Sequence, residues 1–276
     1  MPVRQRQEVQ ALPRRRRALL LRLQLLSDLH LETETCAPEP AEGAELLVLA
    51  GDIDSEWVAL ERFADWPVPV VFVAGNHEFD RRDVDAASAA LRERCSAFGI
   101  TMLEREQRLF TDAGGRRTRI LGTTRWADFD LFGALGRAKA MRAGEYFMEL
   151  MQSTRDGRPF DVGAMRDEAL VCRDWLAAEL RRPNDGWDAT VVVTHFAPSL
   201  NSADPRYGAK SGTASFCNAD DELLPFADLW LHGHLHCVHD YRVARAAGST
   251  RVVCNSRGHA RRGEAAAHRS RLVLEV

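Results

Sequence analysis

No apolar run in this sequence approaches the roughly 18 to 20 residues that a bilayer-spanning helix requires; even Ala18 to Leu26 is interrupted by Arg22 and Gln24. A transmembrane protein is therefore not expected. The six cysteines, at positions 36, 95, 172, 217, 237 and 254, include no Cys-x-x-Cys pair. That scatter argues against a structural zinc or iron–sulfur site and against a disulfide-stapled scaffold, and points to reduced thiols in a cytoplasmic setting. Nor is there an internal repeat or a low-complexity run in the body of the chain. With a near-average composition, this sets aside solenoids, collagen-like chains, coiled coils and wholly disordered proteins.

What is present suffices for one large core: 276 residues, 45% hydrophobic and 28% charged. A single domain over residues 20–276 is expected. The net charge of −3 hides an asymmetry, because residues 1–19 hold six Arg and one Glu, leaving 31 basic against 39 acidic residues in the remainder. A body of charge about −8 argues against general capture of nucleic acid through its phosphates. Segment 1–19 has no apolar periodicity to bury and reads as a basic, disordered tail. Its composition is also that of a transit peptide or an anion-touching arm.

From Leu20 onward short apolar runs alternate with helical patterns, so an α/β fold is expected. Residues 21–27, 45–50, 68–74, 119–124, 189–195, 227–233, 251–255 and 271–276 read as strands, several of them continuously apolar as strands covered on both faces are. Residues 84–99 read as an amphipathic helix ending at Gly99, and 133–182 as a second helical stretch broken near 155–160.

Five of these strands run into ligand-type residues: Asp28-Leu29-His30, Gly51-Asp52-Ile53-Asp54, Gly75-Asn76-His77-Glu78, His195, and His232-Gly233-His234-Leu235-His236. In α/β sheets the carboxyl ends of strands are where ligand sites assemble, so the five clusters should converge. Taken singly, Asp52 or His195 would pass for a helix cap or a hydrogen-bonded core residue. Five such coincidences in one chain are a poor account. Carboxylate, amide and imidazole donors suit Mn, Fe, Zn or Ni. Residues i and i+2 of a strand share a face, which lets Asp28 and His30 reach one ion. The donors outnumber what a single ion takes, and two ions are implied.

In order and spacing, with intervals of 24, 24, 119 and 39 residues from Asp28 through Asp52, Asn76 and His195 to His234, the series resembles the calcineurin-like metallophosphoesterase superfamily. The resemblance spans residues 20–276 and implies a four-layer α/β/β/α sandwich, with two central mixed sheets and a dinuclear site at their edge. It implies one metal held by Asp28, His30, Asp52 and His236, and another held by Asp52, Asn76, His195 and His234. His77 looks like the family's non-ligand catalytic histidine, which meets the phosphoryl group and protonates the leaving oxygen. Glu78 is expected to support that loop. The implied reaction is hydrolysis of phosphoric esters by a bridging hydroxide, phosphodiesters slightly ahead of monoesters. Two divalent ions are the cofactors, Mn²⁺ first, with Fe, Zn or Ni as alternatives. The partner is then a small phosphoester, a nucleotide among the candidates.

Gly51-Asp52 continues as Ile53-Asp54-Ser55, without the Asp-Arg-Gly of phosphoprotein phosphatases, and Phe196 follows His195 where many relatives carry a second His. The pattern is similar to small bacterial phosphoesterases, and more loosely to cyclic-nucleotide phosphodiesterases and the hydrolase of nucleotide-linked diacylglucosamine. Arg125, Trp126, Asn255 and Arg257 sit where strands run out and are expected to touch substrate, the arginines through their fit to phosphate. Packing is the alternative for Trp126 and Trp57. His232 and His239 are expected to hydrogen-bond behind the site or to stand in solvent rather than to act as ligands, while His259 and His268 receive no role. Two other functions stay open. One is a membrane-surface hydrolase of a nucleotide-linked lipid, with residues 133–160 as its apolar insertion. The other is a non-catalytic scaffold, which should have lost ligands that this chain retains.

Overall fold

The computed structural model describes residues 20–112 and 114–276; the basic segment 1–19 lies outside the described residues. In chain order the first strands are β1 (Arg22–Leu26), β2 (Leu46–Ala50) and β3 (Val70–Val73), followed by helix α1 (Val84–Ala97) and strands β4 (Ile100–Met102), β5 (Glu106–Thr111) and β6 (Arg117–Thr123). Helix α2 (Gly133–Met151), a two-residue hairpin of β7 (Thr154–Arg155) and β8 (Arg158–Pro159), and helix α3 (Val162–Arg181) come next. The chain ends with β9 (Ala189–Thr194), β10 (Leu229–His232), β11 (Val238–Ala244), β12 (Ser249–Asn255) and β13 (Val273–Glu275).

These strands make two mixed sheets. In the first, ordered β13-β1-β2-β3-β4, only β13 runs antiparallel to its neighbour. In the second, ordered β11-β12-β10-β9-β6-β5, the four inner strands are parallel and both edge strands antiparallel. The period-2 alternation of side chains assigns the layers. Leu23, Leu25, Val48 and Val71 of the first sheet face Val191, Val193, Leu231 and Val253 of the second. The opposite face of the first sheet, with Leu26, Leu47, Leu49 and Phe72, packs on Ala87, Leu91 and Cys95 of α1. The outer face of the second, with Leu121, Val192, Trp230 and Val252, packs on Leu176 and Leu180 of α3. The result is the expected four-layer α/β/β/α sandwich. Each fully buried Leu or Val contributes about 1.5 to 3 kcal/mol, and double coverage is why these strands read as unbroken apolar runs.

Local signals set the helix limits. Asp83 caps α1 by accepting the Ala86 N–H, and the helix stops before Gly99, which takes the left-handed conformation (φ +69°) at its end. Asp161 caps α3 through the Ala164 N–H. The turn expected near 155–160 is the β7–β8 hairpin. Strands β4, β5 and β11 are not evident in the sequence. The last two lie at sheet edges, where β5 is largely exposed and β11 half-buried, so neither carries an apolar run. No described helix is long and apolar enough to cross a membrane, and all six cysteines are unpaired.

The exits of β1 and β12 meet at one end of the sandwich. Ser27 pairs with Ser256 there, and the Arg257 and Gly258 N–H groups donate to the carbonyls of Ser27 (3.1 Å) and Asp28 (3.0 Å). The two sheets are thereby joined along the edge at which the polar clusters emerge.

Candidate metal centre

At this edge five ligand-type residues hold left-handed backbone: Asp28 (φ 53°), His30 (47°), Asp52 (53°), His234 (73°) and His236 (49°). Outside glycine this conformation is strained, by about 1 to 3 kcal/mol per residue, and it survives only where surrounding contacts dictate it. The contacts here are hydrogen bonds between strand exits. The Asp28 N–H donates to the Gly51 carbonyl (2.9 Å), His30 N–H to Asp52 carbonyl (3.1 Å), and Gly233 N–H to His195 carbonyl (3.0 Å). The Asp28 carboxylate accepts the His234 N–H at 2.9 Å.

Glu78 braces the centre from behind. Its buried carboxylate accepts the N–H groups of Gly75 (2.6 Å), Asp52 (2.9 Å) and Ile53 (2.7 Å), so it supports its loop as the sequence suggested. Gly75 itself has no alternative, since a Cβ there would lie 2.2 Å from Asp52 Oδ1. Glu78→Ala should strand three buried donors, each worth about 1 to 3 kcal/mol. A fall of about 3 kcal/mol in unfolding free energy by urea denaturation is expected. A loss below about 1 kcal/mol would remove the bracing role.

The side chains gather into two groups that share Asp52. Ligand atoms of Asp28, His30, Asp52 and His236 lie within 4.8 Å of one another, as do those of Asp52, His195 and His234. Asn76 joins the second group, its Oδ1 3.3 Å from His195 Nε2. His30 Nε2 and His236 Nε2 approach to 3.0 Å, while their Nδ1 atoms face Glu32 (3.2 Å) and Glu264 (2.8 Å). Carboxylates at Nδ1 hold the proton there, so two Nε2 lone pairs point at each other. His195 Nδ1 faces the Ala50 carbonyl at 2.9 Å, which likewise leaves Nε2 for the site. His234 is reversed, with Nε2 against the Ser215 carbonyl (3.2 Å) and Nδ1 left over. Asp52 Oδ2 is buried and accepts no hydrogen bond, although His195 Nε2 stands 3.2 Å away. Converging lone pairs and an orphaned carboxylate oxygen are what divalent cations satisfy, so these residues fit two ions.

The polypeptide alone balances this charge with protons. Burial disfavours ionisation of Asp52, yet the charges of His195 and His77 keep it well below the usual carboxylate range. Burial also opposes charge on His195, but Asp52 raises it to about 9. Against the same opposition, the charge of Asp52 and the hydrogen bond that His77 donates to Asp80 raise His77 to about 10. His234, buried beside His195, is pushed down. His77 is not among the ligand groups; its Nδ1 is 2.7 Å from Asp80 Oδ2 and its ring faces a cavity of about 560 Å³.

The sequence matches the calcineurin-like phosphoesterase family over residues 21–238. The chain belongs to that family. It is a metal-dependent phosphoester hydrolase with the metallophosphoesterase fold, and the family implies a dinuclear divalent centre where the two ligand groups lie. Phosphopantetheinyl hydrolase from Mycobacterium tuberculosis superimposes with a TM-score of 0.68 at 19% identity, over 94% of this chain and 96% of that one. A dimetal phosphatase from Danio rerio gives a TM-score of 0.45 at 13% identity, over 86% and 87% of the two chains. No functionally curated protein is significantly similar in sequence.

Four expected substrate contacts of this phosphoesterase are placed elsewhere. Arg125 is fully buried and donates to both carboxylate oxygens of Asp220 (2.9 and 2.8 Å) and to Asp128 (2.7 Å). Its charge is neutralised inside the core. Trp126 is buried among Phe79, Phe160 and Phe196, so the packing alternative holds. Asn255 donates to the Leu25 and Arg269 carbonyls and accepts the Arg269 N–H. Arg257 pairs with Glu34 at 3.0 Å. None of the four lines the cavity. Strand ends in a doubly covered sheet are themselves buried, so a polar group there turns inward as readily as toward a ligand. His232 is also inward, bonded to Ser202 Oγ (3.0 Å), and His268 holds the Asn255 carbonyl (2.9 Å). The sequence offered no sign of Glu32, Glu34, Asp80, Glu264 or His259 at the centre, because none lies in a strand-end motif.

Proposed function

We propose that the chain hydrolyses phosphodiesters at two metal positions, one held by Asp28, His30, Asp52 and His236, the other by Asp52, Asn76, His195 and His234. The observation that carries this reading is Asp52, whose carboxylate belongs to both ligand groups and has an otherwise unpartnered buried oxygen. Bound divalent cations supply charge neutralisation for the phosphoryl oxygens and a water activated at neutral pH. His77, oriented by Asp80, meets the phosphoryl group from the cavity side and delivers a proton to the departing oxygen.

The cavity supports a diester because it holds more than a phosphoryl group. Asp52, Asn76, His77 and His234 form one wall, and Phe147, Met148 and Met151 of α2 form part of an apolar wall. Arg206, Lys210 and Arg262 also border it, which suits a second, polar ester arm. The protein loaded with Mn²⁺ is expected to show higher kcat/KM on bis(p-nitrophenyl) phosphate than on p-nitrophenyl phosphate. A clear preference for the monoester would overturn the diester assignment, and inertness toward both would overturn the site. Phosphopantetheine esters belong in the same panel, given the neighbour's name.

A second reading, an amphipathic lipid-linked substrate, is favoured by one observation. Residues 133–160 fold as α2 and the β7–β8 hairpin, and α2 leaves Leu135, Tyr146 and Leu150 exposed, the last of them lining the cavity itself. Stimulation of hydrolysis by anionic vesicles would support it.

A further inference from the structure

His259 follows β12 in a polar stretch that carries none of the strand-end motifs, yet it reaches the centre. Its ring stacks on His30 at 4.8 Å between centroids and 27° between planes, and stands edge-on to His236 at 5.2 Å. The ligand-capable nitrogens of His30, His236 and His259 lie within 4.8 Å of one another. Each of the three has a carboxylate at Nδ1: Glu32 for His30, Glu264 for His236 (2.8 Å) and Glu34 for His259 (3.4 Å). That partner fixes the tautomer with its proton on Nδ1, leaving Nε2 as a lone pair.

The backbone delivers His259 to this place. Arg257 and Gly258 are pinned to the exit of β1, and the His259 N–H donates to Glu264 Oε2 (2.8 Å), the same oxygen that holds His236. Gly258 has φ +61°, and a Cβ on it would lie 2.8 Å from the Cβ of His236. Only glycine brings the chain close enough.

We propose that His259 is a ligand of the same ion as His30 and His236, an inference that rests on the two-metal reading above. That position then has three imidazoles, against two for the position of Asn76, His195 and His234, so the two bind metal unequally. A nitrogen-rich set favours the later first-row ions.

Titration of the whole chain with Co²⁺, followed by its visible absorption and by elemental analysis, tests this. Wild type should take up two ions. His259→Ala and His259→Gln should bind one of them at least about 10-fold more weakly, the low end of what losing even an outer partner of a metal ligand does, with an altered cobalt spectrum. His268→Ala, in the same stretch, should match wild type. Unchanged affinity and spectrum in both His259 variants would overturn the proposal while leaving two metals in place. Three ions in wild type and two in the variants would overturn it as well, by making His259 part of a separate site. A wild type that binds no cobalt would take down the two-metal reading itself.

Discussion

Asp52→Asn is expected to abolish hydrolysis and to leave the protein without a stable pair of metal ions. The substitution keeps the size of the side chain and the acceptor for the His77 N–H, which Oδ1 takes at 2.9 Å. What it removes is the negative charge and the unpartnered second oxygen of the one residue that both ligand groups share. Metal catalysis supplies several kcal/mol through charge neutralisation and water activation, so kcat/KM should fall by about 10³-fold or more. Elemental analysis after desalting should show far fewer than two ions per chain, with the circular dichroism spectrum preserved. Cys172→Ala is the control, because Cys172 is buried on α3 and belongs to neither group. An Asp52→Asn protein that still carries two ions would refute the bridging assignment.

Replacing His77 should separate substrates by their leaving groups. The imidazole is held at Nδ1 by Asp80 and borders the cavity, a placement suited to handing a proton to a departing oxygen. A nitrophenolate leaves without that proton, whereas an alkoxide does not. General acid catalysis is typically worth about 10² to 10⁴-fold. His77→Asn should therefore lose activity in that range on an alkyl or nucleoside diester, and much less on a nitrophenyl ester. Metal content must be measured in the same samples, since Asn76 is the adjacent residue and an assigned ligand. Equal losses on both esters, with two ions retained, would leave His77 as a binder of phosphoryl oxygen and nothing more.

The strands and the polar motifs at their ends could be read from the sequence because both are local patterns. Burial on two faces writes itself as an unbroken apolar run, as in Leu46–Ala50 or Ala189–Thr194, and ligand-type residues immediately after such runs have a sheet edge as their natural destination. Gly99 marked the end of α1 for an equally local reason, while the Asp83 cap at its start came from the structure. Edge strands β5 and β11 escaped notice because exposure erases the apolar signal. Only the tertiary structure decided which polar side chains face the cavity. Arg125 looked like a phosphate contact until the segment bearing Asp220, 95 residues further on, closed over it and drew its charge into the core. His259 looked idle until the hydrogen bonds from Arg257 and Gly258 to the exit of β1 carried it against His30. Periodicity along one element reports how that element is buried. Which distant carboxylate meets which cation or imidazole depends on strand order and register, and these are fixed by packing across the whole fold.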